Sequence, residues 1–376
     1  MKIAVIGHKR IPSREGGIEI VVGELSSRMA SRGNKVVVYN RKSEHIAGKG
    51  YNADNSLKQW KGVDIKWVPT PNSAKLNAIV YSALATARAV FGKYDIIHFH
   101  AEGPAAMVLL AKLFKKKTVV TVHGLDWQRS KWGGFATKFL KFGEKTAAKY
   151  ADEIIVLSEN VKNYFKSTYN RDTNYIPNGI EKPDLASASI IGEKYSLKKD
   201  GYILYLGRVV PEKGIHYLIE AYNSLNTSMP LVIAGGASHT VEYENQIHEM
   251  AKGNKNIIFT GFVQGAELAE LYSNAYIYCL PSDLEGMPIS LLEAMSYGNC
   301  CLTSNIDECT EVCVNNAVYF EKGNAADLRD KLDYLIKNPQ IVSSYKEKAR
   351  DYICNKYNWD DVCDKTLQLY KNIISG

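Results

Sequence analysis

The chain has 376 residues, 45% hydrophobic and 23% charged, with a formal net charge of +7. That length exceeds what one hydrophobic core usually serves, so two domains are expected; no apolar run reaches the roughly 18 residues needed to span a bilayer, and the N-terminus reads as a first strand without signal-peptide features. The charge is uneven: residues 1–180 hold 29 Lys/Arg against 14 Asp/Glu, and residues 181–376 hold 18 against 26, which points to an anionic surface partner for the first half alone.

Residues 2–7 (KIAVIG) form a short apolar run ending in Gly, the opening of a parallel sheet. The loop 8–17 ends in Gly16 and Gly17, just before an amphipathic helix expected over 18–32, where backbone amides can approach a ligand closely. No G-x-G-x-x-G fingerprint and no P-loop occurs, which weakens a dinucleotide reading and excludes a P-loop NTPase. Strand-like runs recur at 36–39, 65–68, 94–100, 118–122 and 153–157, with helical stretches between several of them. A further strand at 174–177 meets an Asn178-Gly179 turn, and the loop-like stretch 183–189 marks a domain boundary. The alternation restarts at 202–207, 231–235, 257–260, 276–280 and 300–303, and a closing helix is expected after Trp359. This is an α/β chain with two Rossmann-like sheets in tandem, each covered on both faces. Ligands of such sheets lie beyond the carboxyl ends of the strands, so the two domains are expected to face a central cleft. The seven cysteines all fall in the second half, mostly among apolar residues, and read as reduced, packed thiols of the cytosol; no zinc-type pairing of Cys and His occurs.

The chemistry concentrates at 276–304. A strand runs into a loop holding Glu285, Pro288 opens a helix carrying Glu293, and Gly298 ends it. Two carboxylates eight apart suit sugar hydroxyls, and the unpaired helix-start amides of Ile289 and Ser290 suit a phosphate, which together suggest a nucleotide-sugar site. An ordinary αβ unit with solvated glutamates is the plain alternative. Arg208 and Lys213 flank a turn after a strand, where a guanidinium and an ammonium can hold a diphosphate and neutralise charge as a glycosyl–phosphate bond breaks. His123 ends the strand 118–122, and His98, His100 and Glu102 (HFHAE) end the strand before it. The segment DWQRSKW supplies Asp126, Trp127, Arg129 and Trp132, aromatics for sugar faces and an acid for hydroxyls, as an acceptor platform with His100 and Glu102.

The order and spacing of Gly16-Gly17, HGLD at 123–126, IPNGI at 176–180, YLGRVVPEKG at 205–214, Gly235-Gly236, TGFV at 260–263 and EGMPISLLEAMSYG at 285–298 resemble the retaining glycosyltransferases of the GT-B fold, family 4. HGLDWQRSKW at 123–132 is similar to bacterial rhamnosyltransferase-like members. The resemblance implies an acceptor domain at 1–180, with the closing helix 359–376 crossing back onto it, and a nucleotide-sugar donor domain at 181–358. It implies that Arg208 and Lys213 hold the donor pyrophosphate, that Glu293 binds ribose hydroxyls, and that Glu285 and His123 meet the donor sugar. Gly16, Gly17, Met287, Pro288, Ile289 and Ser290 line the donor, and Gly235 and Phe262 hold the nucleobase mainly through backbone. Met287 stands where relatives often carry Phe or Leu. The donor is a nucleotide-diphosphate sugar, with dTDP-rhamnose and UDP-hexoses as candidates. The acceptor is a glycan or a polyprenyl-diphosphate-linked chain of surface polysaccharide synthesis. No cofactor and no metal are expected, and transfer proceeds with retention by a same-face, ion-pair-like route. A GT-B-shaped nucleotide-sugar 2-epimerase and a non-catalytic sugar-nucleotide binding subunit are the other readings.

The basic half has a pattern of its own. Over a helix expected at 133–150, Lys138, Lys141, Lys145 and Lys149 fall on one stripe at ~100° per residue, beside an arc of Trp132, Phe135, Phe139, Phe142 and Tyr150. Lys112 and Lys115 to Lys117 add a second cluster. This favours an anionic membrane surface, and so a cytoplasmic protein peripheral at the inner face of the plasma membrane; the alternative packs the aromatics on the sheet and leaves the lysines solvated. No recognition helix, RRM or zinc module supports a nucleic-acid partner.

Overall fold

The computed structural model describes residues 1–42, 56–73, 76–128, 133–236 and 241–376; Arg129 and Trp132 lie outside the described residues. The chain divides into two compact units, Met1–Gly179 with Trp359–Gly376, and Ile180–Asn358.

The first unit runs β1 (Lys2–Ile6), α1 (Gly17–Ser31), β2 (Lys35–Lys42), β3 (Gln59–Trp60), β4 (Val63–Pro69), α2 (Asn77–Val90), β5 (Ile96–His100), α3 (Glu102–Ala105), α4 (Val108–Leu113), β6 (Thr118–Val122), α5 (Gly134–Tyr150), β7 (Glu153–Val156), α6 (Glu159–Tyr169) and β8 (Asn174–Tyr175). The sheet order is β3-β4-β2-β1-β5-β6-β7-β8, with only the short edge pair β3–β4 antiparallel among the described residues. β5 and β6 are buried at every position, as parallel strands covered on both faces must be. α2 packs on α3 and α4, and α5 packs on the same pair. Their inner faces join Ala4, Ile6, Ile97, Phe99, Val120 and Val122 in one core.

The second unit runs α7 (Ile190–Tyr195), β9 (Ile203–Leu206), α8 (Ile215–Asn223), β10 (Leu231–Ala234), α9 (Val241–Met250), β11 (Ile257–Gly261), α10 (Gly265–Asn274), β12 (Ile277–Leu280), α11 (Ile289–Ser296), β13 (Cys300–Ser304), α12 (Asp307–Cys313), β14 (Val318–Phe320), α13 (Ala325–Lys337) and α14 (Pro339–Lys356). Its sheet order is β11-β10-β9-β12-β13-β14, parallel throughout. The seven cysteines are free; Cys354 is half-buried and the other six are buried. The last helix, α15 (Trp359–Ser375), belongs to the first unit, where it packs on α1. Arg28 and Arg32 reach Asp360 at 3.5 and 2.9 Å, and Arg32 reaches Asp364 at 2.9 Å, fixing the register of that contact more than its strength.

In both sheets the strand order reverses once. The first winds outward from β1 through β2 on one side and from β5 on the other; the second does so from β9 through β10 and from β12. Such a reversal leaves a crevice at the carboxyl ends of the two central strands, the usual ligand position in open α/β sheets. Residues 7 and 8 with 100 to 102 flank the first reversal, and 207 to 214 with 281 to 285 flank the second.

Candidate active site

At the second unit's reversal, β9 ends and Arg208 and Lys213 follow on a tight loop, with Lys213 closing a single turn of 3-10 helix. Gly235, just after β10, has φ 139°, and a Cβ there would lie 1.8 Å from the Gly207 carbonyl oxygen, so only glycine lets these backbones meet. Arg208 is half-buried, and its guanidinium has no ion-pair partner among the described residues. Lys213 has one: its Nζ lies 2.5 Å from Glu285 Oε1, with the two side chains 12% and 8% exposed. Ser282 Oγ donates to the same carboxylate oxygen at 2.7 Å. The diphosphate-side cation and the sugar-side acid of the sequence reading are thus direct partners. An anion arriving at Lys213 would share it with Glu285.

Helix α11 begins after Pro288 with no side-chain cap, and among the described residues no side chain accepts from the Ile289 or Ser290 amide. Glu293 sits on the same helix and accepts from the Tyr272 hydroxyl at 3.1 Å. Tyr272 in turn stacks on Tyr297, 5.2 Å between centroids. Met287 and Pro288 are buried, and Phe262 stands 48% exposed beyond the end of β11. Arg208, Lys213, Gly235, Phe262, Glu285, Met287, Ile289, Ser290 and Glu293 therefore all lie at the carboxyl edge of one sheet.

In the first unit, alternation along β5 and β6 sends His98, His100, Thr121 and His123 to one face of the sheet, opposite Ile97, Phe99, Val120 and Val122. His100 Nδ1 lies 2.9 Å from His123 Nε2, and His98 Nε2 lies 2.7 Å from Thr121 Oγ1. Burial, reinforced by the neighbouring imidazoles, pushes His98 down to about 3 and His100 well below the ordinary histidine range. Both are therefore neutral hydrogen-bonding rings at physiological pH. Gly16 caps α1, and the Glu19 carboxylate lies beside it, accepting the Lys9 amide at 2.8 Å.

Glu102 is fully buried. Burial first, and then the Asp126 and Glu144 carboxylates, raise its pKa far above the ordinary carboxylate range. Trp127 turns its indole N–H to Glu144 Oε2 at 2.9 Å, while Tyr164 and Tyr169 donate to Glu144 Oε1 at 2.8 and 2.5 Å. His100 and Glu102 are thus enclosed beneath the rim where an acceptor platform was expected, while Asp126 and Trp127 remain partly exposed.

Two family signatures cover the chain. The one described as Glycosyltransferase Family 4 matches residues 15–182, and the one described as Glycosyl transferases group 1 matches residues 189–359. The chain belongs to the family 4 glycosyltransferases. The enzyme is similar to the O-antigen chain mannosyltransferase C of Escherichia coli, 23% identical over 388 residues and covering 100% of each chain. Among solved structures it is similar to the sucrose-phosphate synthase from Thermosynechococcus elongatus, with a TM-score of 0.85 at 20% identity over 100% and 99% of the two chains. It is also similar to Anabaena HepE in complex with UDP-glucose, with a TM-score of 0.81 at 15% identity over 99% of each. These likenesses give the glycosyltransferase the GT-B fold.

Several residues of the glycosyltransferase's two edges were not anticipated from sequence. Ser282 and Tyr272 are ordinary loop and helix residues until the fold sets them against Glu285 and Glu293. Glu144 did carry a signal: it is the single acid of α5 and falls on the arc of Leu140, Ala147 and Ala148, which is buried.

Lys213→Ala and Glu285→Ala each strand one charge of a largely buried pair. The double variant is therefore expected to lose less stability than the sum of the singles, by at least about 1 kcal/mol in urea unfolding; strict additivity would show the pair to be energetically idle. A second expectation concerns pH. The folded pKa of Glu102 lies above its unfolded value, so the folded chain keeps a proton that the unfolded chain gives up, and stability falls as pH rises above the ordinary carboxylate range toward the folded value. Glu102→Gln, which cannot ionise, should gain stability over the native chain steadily from pH 5 to pH 9; a pH-independent difference in thermal midpoint would refute this.

Proposed function

We propose that the enzyme transfers a glycosyl group from a nucleotide-diphosphate sugar to a glycan or lipid-linked acceptor in surface polysaccharide synthesis, with retention and without a metal. The observation that carries this reading is the set at the carboxyl edge of the second sheet: the Arg208 guanidinium, which has no ion-pair partner among the described residues, Lys213 paired with Glu285, and the uncapped start of α11, which carries Glu293. Two cations and a helix start supply positive potential for a diphosphate, and the carboxylates accept from hydroxyls. The bond between the anomeric carbon and the diphosphate oxygen breaks as Arg208 and Lys213 neutralise the leaving charge, which is the task a metal performs elsewhere. The acceptor oxygen then bonds to the anomeric carbon on the face just vacated, and its proton passes to the leaving diphosphate. In the first unit His123, a hydrogen-bonding ring, meets the donor sugar, and Asp126 and Trp127 receive the acceptor. A relative named as an O-antigen chain mannosyltransferase supports the polysaccharide assignment, and a neighbour solved with UDP-glucose supports the donor class.

The same reading places the basic first unit against an anionic membrane surface. Along α5, Phe135, Lys138, Lys141, Phe142, Lys145 and Lys149 are all exposed, with Phe135 at 76% and Phe142 at 50%. On the neighbouring helices, Phe91 and Leu113 are 78% and 80% exposed, and Phe91 lies edge-on to Phe114 at 5.2 Å. Bare aromatics among lysines match lipid headgroups over an acyl boundary. No helix among the described residues is long and apolar enough to cross a membrane, so attachment would be peripheral.

A thermal-shift panel of UDP-, dTDP-, GDP- and ADP-sugars should find at least one stabilising donor, and NMR of the product should show the donor's anomeric configuration preserved. Glu293→Ala is expected to weaken donor binding about tenfold, and Lys213→Ala to lower kcat about 100-fold with donor affinity nearly kept. Stabilisation by no nucleotide sugar, or equal binding and rate losses in both variants, would contradict the assignment. For the surface, replacing Lys138, Lys145 and Lys149 by Glu should reduce sedimentation with phosphatidylglycerol vesicles about 100-fold. Indifference to lipid charge would remove the membrane claim.

A further inference from the structure

We propose that Tyr370 of the C-terminal helix positions His123, acting through His98 and His100. This deepens the assignment of His123 to the sugar and rests on it. On the face of the sheet under α15, β5 and β6 carry four polar side chains, His98, His100, Thr121 and His123, all buried. A buried imidazole is costly unless its nitrogens are hydrogen-bonded, whereas a leucine would pack there without that condition. The polar row is therefore a feature the fold maintains at a cost in stability.

The geometry gives it a direction. Tyr370 is fully buried, and its hydroxyl lies 2.6 Å from His98 Nδ1, with the rings edge-on at 5.8 Å. Thr121 Oγ1 holds the other nitrogen of His98 at 2.7 Å, so that ring can neither turn nor flip without losing a bond. His98 in turn lies against the His100 ring, 4.2 Å between centroids and tilted by 33°. His100 Nδ1 lies 2.9 Å from His123 Nε2. His100 is neutral, so its tautomer decides whether its Nδ1 donates to or accepts from His123 Nε2, and hence whether that nitrogen of His123 carries a proton. A ring that meets a sugar hydroxyl has to offer a defined donor or acceptor, and this chain of contacts defines it. The corner after His100 is held taut as well. Ala101 has φ 74° and ψ 160°, a conformation ordinarily reserved for glycine, and its amide is tied to the Thr121 carbonyl at 2.9 Å. None of these contacts transfers a proton from Tyr370 to the sugar. Tyr370 and His98 act by holding a ring in place.

Tyr370→Phe tests the idea, because it keeps the packed ring and removes only the hydroxyl. The expected result is a kcat reduced about fivefold with donor KM unchanged, the scale of one lost hydrogen bond, together with a changed pattern of His123 Nδ1 and Nε2 signals in spectra of protein carrying 15N-histidine. Thr121→Val, which frees the other nitrogen of His98, should move the same signals. Native kcat and native imidazole signals in Tyr370→Phe would overturn the proposal. So would a rate loss that merely follows a loss of folded protein with the imidazole pattern unchanged. The spectra need no turnover: if the native chain transferred no sugar, a changed His123 pattern would still uphold the positional link while the transferase reading failed.

Discussion

The constraint on which the rest depends is the single reversal of strand order in each sheet. Two parallel strands whose chains leave in opposite directions cannot both be covered at their carboxyl ends, so a gap opens that loops must line. Backbone contacts that only glycine permits bring those loops together. In the second unit Gly235 meets the Gly207 carbonyl, and in the first Gly7, at φ 129°, would place a Cβ 2.1 Å from the His100 carbonyl oxygen. Of the candidate site residues, Arg208 stands one and Lys213 six positions beyond Gly207, and Glu102 stands two beyond His100. Substitution of either glycine would act on the site through the backbone, without touching a functional side chain.

The same geometry is filled by opposite electrostatic means. In the second unit the gap is lined by the basic Arg208 and Lys213 and the acidic Glu285 and Glu293, with the α11 amides at the same sheet edge. In the first unit burial removes charge: His98 and His100 are held neutral, and Glu102 is driven toward its protonated form. On the proposed reading, cations face a diphosphate in the second unit, and neutral donors and acceptors face an uncharged sugar ring in the first.

Much of this was legible in the sequence because it is local. Short apolar runs, three of them ending in glycine, located twelve of the strands, most within a residue or two at each end, and Glu285, Pro288 and Glu293 declared a loop, a helix start and its first turns. The edge strands β3 and β14 were not legible, being two and three residues long and without a periodic signature. Pairings made by the fold were hidden for another reason. Lys213 and Glu285 are 72 positions apart, and Tyr370 and His98 are 272 apart, so no spacing rule links them. The enclosure of Glu102 was hidden because a glutamate after a strand reads as a rim residue, and only the approach of α5 covers it. The lysine stripe of α5 and the aromatic arc beside it were visible in the sequence, but not whether those aromatics pack on the sheet; the structure leaves Phe135 and Phe142 bare on the lysine side.

The distribution of cysteine gives the molecule a pair of built-in reporters. Six thiols lie in the second unit, five of them buried, and the seventh, Cys363, is buried in α15 of the first. Burial raises the pKa of Cys279 and Cys301 well above the ordinary thiol range, which suppresses the reactive thiolate in the folded state. Alkylation of Cys363 therefore times the opening of the first unit, and alkylation of the Cys279–Cys301 set times the opening of the second. Mass spectrometry of the separated peptides would follow the two folding units independently in a single unmodified chain.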